Sequence, residues 1–314
     1  MHKAQKEMRQ IMPTVDVVME ILDARAPFSS SNPLLESIRG DTPLLRILNK
    51  ADLADANRTA TWQTYLGQRS EQVLALEARD KQQINELPAI CRKLKPRSLK
   101  PAENFQVMII GIPNVGKSTL INTLAGRKVA RTGNEPAITK RQDAIQIERG
   151  FVLCDTPGIL WPDLGHPNIS MRLATLGSIR ETVVDYMEAA LFSISYLIKH
   201  YRELVKNYSA ESLSAFDNAH NDPHALAPEV AFLETFGQQR GTLQRGAMVD
   251  LERAARMLVN DIRDGNLGNL TLELPEDARH ESVAIEQRLQ KKLEKKSKKT
   301  GKRSNKGGKK QPGQ

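Results

Sequence analysis

The chain has 314 residues, 39% of them hydrophobic, and a net charge of +9, which is enough apolar content for two domains with separate cores. Two cysteines, Cys91 and Cys154, are too few for a disulfide framework or a four-thiolate zinc site, which favours a reducing, cytoplasmic compartment and no structural zinc. The longest nearly apolar stretch, residues 189–198, is too short to cross a membrane, so we expect no membrane partner.

Short apolar runs separated mostly by helical or polar segments predict six strands. These are residues 15–22, 44–48, 73–76, 105–110, 144–147 and 151–154. Apolar strands that alternate with helices are typical of a mainly parallel sheet covered on both faces, with ligands at the carboxyl ends of the strands. The sequence motifs follow these predicted strand ends.

The tetrapeptide Asn49-Lys50-Ala51-Asp52 follows the second predicted strand and predicts guanine recognition. Asp52 can accept hydrogen bonds from N1 and N2 of guanine, a pair that adenine cannot present, while Asn49 braces the loop and the Lys50 stem covers the ring. The alternative is a helix start in which Asp52 is the cap.

The segment Gly-Ile-Pro-Asn-Val-Gly-Lys-Ser, residues 111–118, follows the fourth predicted strand and opens a predicted helix, as a phosphate-binding loop requires. Its glycines let N–H groups converge on phosphate oxygens, and the helix N-terminus adds partial positive charge. Lys117 is predicted to reach the terminal phosphates and Ser118 to ligate Mg²⁺. The predicted nucleotide-binding residues of this loop are Asn114, Val115, Gly116, Lys117, Ser118 and Thr119.

The segment Asp155-Thr-Pro-Gly158 lies at the end of the last predicted strand. Asp155 can hold Mg²⁺ through water, and Gly158 can offer its N–H to the γ-phosphate. An Asp followed three residues later by Gly is common by chance, so this assignment depends on its position after the phosphate-binding loop. Between the two motifs, Thr139 is the candidate second Mg²⁺ ligand, the alternative being an ordinary loop residue.

The guanine-reading motif precedes the phosphate-binding loop, which reverses the order found in common small GTPases and predicts a circular permutation. Permutation is tolerable because the termini of compact α/β domains often lie close together. It also places the segment that senses the γ-phosphate directly before the second half of the chain. Hydrolysis could therefore reorient that half without an intermediary.

Beyond about residue 165 the strand signal stops, and apolar residues recur at helical spacing between residues 173 and 198. We interpret this stripe as the core of an all-helical domain rather than as a partner groove. Residues 288–314 hold twelve Lys or Arg and one acid, Glu294, so the rest of the chain sums to −2. This Lys-rich tail is predicted to be disordered when free, either as a solubility tail or as an attractor of RNA phosphates.

With these motifs in this order, about residues 1–275 resemble the YlqF/RbgA family of circularly permuted ribosome-biogenesis GTPases. Supporting matches are Asp-Ala-Arg-Ala-Pro at residues 23–27, Ser-Ser-Asn-Pro at 30–33 and Asp-Ile-Arg-Asp-Gly-Asn-Leu-Gly at 261–268. The resemblance implies a Ras-like permuted domain over residues 1–165 and a helical RNA-binding domain over residues 166–287. It also implies GTP hydrolysis to GDP stimulated by the large (50S) ribosomal subunit, a role in late assembly of that subunit, and contact with rRNA. The asparagine that this family links to K⁺ use corresponds to Asn114.

Three departures from the family pattern bear on catalysis and binding. Ile159 follows Gly158, where Ras-like enzymes place the glutamine that orients water. In this family, the role of that glutamine is credited to a histidine in a Gly-His-Met sequence, whose methionine matches Met1 here. His2 is displaced by two positions from the matching histidine and is the catalytic candidate. The family's usual Pro-Gly-Ile-Thr reads Pro-Ala-Ile-Thr here and ends at Thr139. The guanine-contacting loop that often reads Ser-Ala in GTPases reads Leu-Glu-Ala-Arg at residues 76–79, and by this comparison the N–H of Ala78 is predicted to meet guanine O6.

The sequence therefore predicts a GTP-hydrolysing assembly factor of the ribosome. The alternative is a GTP-dependent RNA-binding assembly module with little intrinsic hydrolysis. A third reading, a GTPase that acts on translation or on membranes, has no supporting sequence feature.

Overall fold

The computed structural model describes residues 2–70, 72–96, 103–130, 143–156, 164–222, 224–244, 246 and 248–304. Within these ranges one sheet contains the strands β1 (Val17–Asp23), β2 (Leu44–Asn49), β3 (Gln72–Leu76), β4 (Phe105–Gly111), β5 (Asp143–Glu148) and β6 (Phe151–Asp155). Their order across the sheet is β3-β2-β1-β4-β6-β5, and every pair is parallel except β5 with β6. The predicted strands and the mainly parallel sheet are confirmed.

The chain runs outward from β1 to β3 and then returns to the other side of β1 with β4. This reversal is a topological switch point, where a crevice opens beyond the carboxyl ends of the strands. The register aligns the motif residues at that edge, with the pairs Asp23 and Asn49, Asn49 and Leu76, Ile21 and Gly111, and Ile109 and Asp155.

Helices cover both faces of the sheet, and strand β1 is buried along its whole length, as expected for a strand covered on both sides. The helices of this half are α1 (His2–Ile11), α2 (Pro27–Ser30), α3 (Leu35–Arg39), α4 (Ala56–Gly67), α5 (Lys81–Asn85), α6 (Leu87–Leu94) and α7 (Lys117–Ala125). Alternate residues of β1 point to opposite faces: Met19 joins one apolar core and Val18 another. The sheet is therefore a rigid platform for the loops at its carboxyl edge.

The second half of the chain is helical in its described residues. Its helices are α8 (Pro167–Thr175), α9 (Tyr186–His200), α10 (Arg202–Tyr208), α11 (Ala210–Asn221), α12 (Pro228–Gln239), α13 (Leu251–Asp264) and α14 (Pro275–Ser304). Most of the predicted apolar stripe, such as Ile194 and Leu197, lies in the core of this half, while Val183 is 71% exposed. Leu173 packs instead in the core of the sheet half, and Leu191 is only partly buried. The interpretation of the stripe as the core of the helical half is therefore confirmed for most of its residues, but not for Leu173, Leu191 and Val183.

Helix α14 begins at Pro275 and includes residues 288–304 of the segment predicted to be a disordered tail. The segment is helical rather than disordered because Lys, Arg, Gln, Leu and Glu all favour helix. Residues 305–314 lie outside the described ranges. The start of α14 returns to the sheet half, where Ala278 packs in the same core as Trp62 and the Trp62 indole donates to the carbonyl of Glu273 (3.2 Å). The limits of the three predicted domains stay predictions. No described helix combines the length and apolarity needed to span a membrane.

Candidate nucleotide-binding site

The predicted base-reading loop follows β2 at the carboxyl edge of the sheet. Lys50 has a left-handed backbone (φ 61°, ψ 35°), and a short 3₁₀ turn, Ala51–Leu53, carries the exposed Asp52. The next helix, α4, is capped by Asp55, whose carboxylate accepts from the N–H groups of Asn57 (2.9 Å) and Arg58 (3.1 Å). The alternative in which Asp52 caps the following helix is therefore wrong, because Asp55 has that position.

The buried side chain of Asn49 joins three loops. Its amide nitrogen donates to the carbonyl of Val115 (2.6 Å), and its oxygen accepts from the N–H of Ala78 (2.8 Å). A Cβ on Gly116, whose φ is +93°, would lie 2.1 Å from that amide nitrogen, so only glycine fits there. The base-reading loop and the phosphate-binding loop consequently touch each other beyond the end of β1.

The N–H of Ala78 was assigned to guanine O6 from the sequence, but in the structure it is bonded to Asn49. Ala78 is buried at the carboxyl end of β3. Its observed role is to hold the asparagine amide in one orientation. Because an amide oxygen accepts in a defined direction, this contact also fixes the amide nitrogen toward Val115.

The phosphate-binding loop lies between β4 and α7. A Cβ on Gly111 would come within 2.8 Å of the carbonyl oxygen of Ile21 on the neighbouring strand, so this glycine permits the close approach of the two strand ends. Helix α7 begins at Lys117, and its first turn carries the partly exposed Ser118 and Thr119. N–H groups of that turn face the edge where β1 and β4 end, as an anion site at a helix N-terminus requires.

Lys117 and Asp155 form a buried ion pair across the gap between α7 and β6. The Lys117 ammonium also donates to the carbonyl of Thr156, and the Thr156 hydroxyl donates to the carbonyl of Ile109 (2.8 Å). The lysine predicted to hold phosphate and the acid predicted to hold Mg²⁺ are thus brought together.

The side-chain oxygens of Asp155 and Ser118 fit Mg²⁺. This ion binds a few hard oxygen ligands of the protein and takes water and phosphate oxygens as its other ligands. Asp155 offers a carboxylate and Ser118 a hydroxyl at the same end of the sheet. In the described ranges, no three or more His, Cys, Asp or Glu side chains are grouped so that they could hold a metal ion. The site is suited to a cation that arrives with its own anionic ligand.

Asn114 has a left-handed backbone (φ 63°), and its amide nitrogen donates to the carbonyl of Gly177 (2.6 Å), just beyond α8. A monovalent cation would bind the amide oxygen rather than this nitrogen, so the K⁺ assignment is compatible with the contact and stays a prediction. Asn114 therefore links the phosphate-binding loop to the helical half.

Three predicted site residues cannot be placed. Thr139 and Gly158 lie outside the described residues. His2 starts helix α1, but its side chain is not among those that the structure describes. Their assignments stay predictions.

Sequence reasoning gave no role to Asp23 and Arg25, which the structure places beside the base-reading loop. The Asp23 carboxylate accepts from Lys50 Nζ (2.9 Å) and from Nε and Nη2 of Arg25 (3.0 and 3.1 Å). Burial alone would raise the pKa of Asp23, but the two cations hold it well below its usual range. The available signal was an acid at the end of a fully buried strand, followed two positions later by an arginine.

The strand order, the loop between β4 and α7 and the base-reading loop after β2 define a P-loop GTPase of the Ras-like class with a circularly permuted chain.

The comparisons with known proteins agree. Residues 106–220 match the family model of 50S ribosome-binding GTPases. Ribosome biogenesis GTPase A from Bacillus cereus is 33% identical over 295 residues, which cover 91% of this chain and 96% of the relative. The corresponding protein from Thermotoga maritima is 28% identical over 275 residues, covering 88% and 92%. The GDP-bound structure of TM YlqF shows the same fold at 23% identity and a TM-score of 0.59, covering 86% of this chain and 99% of that one. The chain belongs to the ribosome biogenesis GTPase A family.

Proposed function

We propose that this chain binds GTP with Mg²⁺ at the carboxyl edge of its sheet, hydrolyses it to GDP, and acts in late maturation of the large (50S) ribosomal subunit. The observation that carries the proposal is the Asn49 side chain, which fixes the base-reading loop against the phosphate-binding loop. A single purine triphosphate can span two loops held in this way. The names of the relatives and of the matching family model support a ribosomal target.

At the base end, Asp52 reads N1 and N2 of guanine, and the Lys50 stem covers the ring. Lys50 Nζ is held by Asp23, which keeps the stem extended beside the loop. Ala51 lines the base pocket through its backbone, and Ala78 holds the Asn49 amide in place. This pocket selects guanine because adenine would leave buried polar groups without partners.

At the phosphate end, the backbone of residues 114–119 surrounds the phosphates. The Lys117 ammonium exchanges its pairing with Asp155 for the terminal phosphates, which leaves Asp155 to orient the metal's water ligands. Ser118 and Thr139 are the proposed direct Mg²⁺ ligands, and Gly158 donates to the γ-phosphate. When bound, Mg²⁺ neutralises charge that develops on the β- and γ-phosphates.

The proposed partners are the large ribosomal subunit and its rRNA, which also places the protein in the cytoplasm. Residues 288–314 carry a net charge of +11, and a basic helix can follow the phosphate backbone without reading sequence. The subunit is proposed to stimulate hydrolysis. K⁺ bound by the Asn114 oxygen is the proposed monovalent cofactor.

The base assignment is tested by titration calorimetry with GDP, GTP and XTP on the wild type and on Asp52→Asn. Because the substitution reverses one donor and acceptor relation, we expect GTP affinity to fall about 100-fold and XTP affinity to rise. Asp41→Asn, at an exposed site in the same half, is the matched control and should bind like the wild type. Unchanged GTP affinity in Asp52→Asn would show that the base is read elsewhere.

The alternative, a GTP-dependent RNA-binding module with little hydrolysis, is favoured by Ile159 at the position of the water-orienting glutamine. Phosphate release measured with and without purified 50S subunits separates the two functions. Turnover that rises with the subunit supports the enzyme. Turnover that stays at background with a subunit that demonstrably binds supports the module.

A further inference from the structure

Helix α13 ends against a charged group that belongs to the base end of the site. Arg25 Nη1 donates to the carbonyl oxygens of Ile262 (3.4 Å) and Arg263 (2.8 Å), at the C-terminal end of the helix. The other side of the same guanidinium holds Asp23, which in turn holds Lys50. One planar group therefore spans the distance between the base-reading lysine and the helical half.

Burial makes this connection stiff. The side chains of Asp23 and Arg25 are 1% and 2% exposed, whereas Lys50 is 23% exposed and faces the edge where a base would lie. A guanidinium is rigid and presents its donors in a fixed fork, so it cannot follow one partner without moving relative to the other. A shift of Lys50 must change the position of Asp23 and, through Arg25, the end of α13.

The phosphate end reaches the same place by a second route. Asn114 donates to the carbonyl of Gly177 just beyond α8, and Arg263 donates to the carbonyls of Ala174 (2.7 Å) and Thr175 (2.8 Å) in the last turn of α8. The N–H of Gly177 donates to the same Ala174 carbonyl (3.1 Å), so Gly177 and Arg263 share one acceptor. Both routes therefore reach Arg263, the base route through its backbone carbonyl and the phosphate route through its side chain.

We infer that Arg25 and Arg263 are positioning residues that couple the occupancy of the nucleotide site to the C-terminal end of helix α13, one from the base and the other from the phosphates. The inference rests on the proposed nucleotide binding and extends it to a second part of the molecule. Coupling is reciprocal, so a partner that fixes the end of α13 must change nucleotide affinity by the same factor. Neither route uses residues 157–163.

Hydrogen exchange of the full chain, measured alone, with GDP and with a nonhydrolysable GTP analogue, tests this coupling. The relevant amides are those of Gly265 and Asn266, which donate to the carbonyls of Ile262 and Asp261. In the wild type we expect GDP to slow their exchange about five-fold or more. Arg25→Gln should remove the part of this protection that comes from the base, Arg263→Gln the part from the phosphates, and the double variant all of it.

Arg253→Gln is the matched control, because this exposed arginine lies on the same helix and contacts neither loop. It should keep the full GDP-dependent protection. A purely structural role for Arg25 would raise exchange equally with and without GDP, whereas a positioning role changes the difference between the two states. Arg25→Lys, which keeps the pair with Asp23 but has no fork to hold two carbonyls, carries the same test if Arg25→Gln does not fold.

The outcomes separate this inference from the proposed function. Wild-type protein that shows no heat of GDP binding would end the proposed function. If the protein binds GDP but GDP changes the hydrogen exchange of Gly265 and Asn266 by the same factor in the wild type, Arg25→Gln and Arg25→Lys, the coupling alone is overturned. Loss of the GDP-dependent difference in the Arg25 variants, with protection kept in Arg253→Gln, supports it.

Discussion

Two buried charge clusters join the sheet half to the helical half, and their charge balance is opposite. The guanine-side cluster is Asp23, Arg25 and Lys50, with one carboxylate and two cations. The carboxylate cluster is Arg172, Glu273 and Glu281, with one cation and two acids. In both, the central acid is fully buried, so burial by itself does not distinguish them.

In the carboxylate cluster, Arg172 Nη1 lies 3.3 Å from Glu273 and 2.8 Å from Glu281. Glu273 also accepts from the N–H of Ser29 (3.1 Å), at the start of α2. Burial raises the pKa of Glu273 although Arg172 and Ser29 act in the other direction. The pKa of Asp23 moves the opposite way because two cations share that one carboxylate.

The charge balance of each cluster fits its location in the protein. The surplus cation of the guanine-side cluster is Lys50, which is partly exposed at the nucleotide edge and can contact a ligand. The surplus acid of the carboxylate cluster is enclosed between α8 and α14, where Glu281 also accepts from Asn168 (3.2 Å). The guanine-side cluster is accessible to a ligand, whereas the carboxylate cluster is enclosed and stabilises the packing of the two halves against each other.

The largest effect is expected from Arg172→Met, which removes the only cation of the carboxylate cluster. Two buried acids would lose the cation that they share, and such losses cost about 3–5 kcal/mol. The thermal unfolding midpoint should fall sharply, and adding Glu273→Gln should recover part of it. Arg180→Met, at an exposed position near the end of α8, is the control and should melt like the wild type. Equal midpoints for Arg172→Met and Arg180→Met would show that this cluster contributes nothing.

Asp23→Asn should cost less, about 1–3 kcal/mol, although it also removes a buried acid. Lys50 can turn its ammonium into water, and Arg25 keeps the carbonyls of Ile262 and Arg263 as acceptors. Chemical denaturation of Asp23→Asn and Arg172→Met in the same buffer compares the two clusters directly. A greater loss in Asp23→Asn would reverse the proposed difference.

The two acids should give opposite pH dependences. The folded-state pKa of Asp23 is lowered, so its contribution to stability is present above its ordinary pKa and is lost as pH falls. The folded-state pKa of Glu273 is raised, so its contribution is present below its ordinary pKa and is lost as pH rises. Unfolding free energies from about pH 2 to 8 should show the advantage of the wild type over Asp23→Asn shrinking as the pH falls below the ordinary pKa of an aspartate. The advantage over Glu273→Gln should shrink toward base, and parallel curves would contradict this assignment.

Strand positions, the permuted order and the positions of the two loops proposed to bind the nucleotide could be predicted because each depends on local sequence. Apolar runs identify buried strands, and the glycines at residues 111 and 116 are needed where the backbone itself must approach another group. The family resemblance from motif order was confirmed by a relative with 33% identity over most of the chain.

The charge clusters could not be predicted in the same way, because their members are far apart along the chain. Arg25 meets Arg263, and Arg172 meets Glu281, only after the helical half packs on the sheet. Ala78 shows the same limit, since its distance from Asn49 depends on β2 pairing with β3. Local pattern locates an acid at a strand end but does not specify which cation will reach it.

The smallest effect on stability, under about 0.5 kcal/mol, is expected from truncation at Lys291. The face of α14 that contacts α8 and the segment before it includes Glu281, Ile285 and Arg288, whose guanidinium donates to the carbonyl of Gly165 (2.9 Å). Arg288 therefore belongs to the contact between α14 and the segment before α8, and the basic residues that can be removed begin at Lys291. The truncated chain should keep wild-type GDP affinity and melting but bind rRNA with a shallower dependence on salt, because fewer phosphates are neutralised. An unchanged salt slope would make residues 291–314 a solubility tail. A fall in melting temperature would show that residues beyond Gln290 also contribute to the packing of α14.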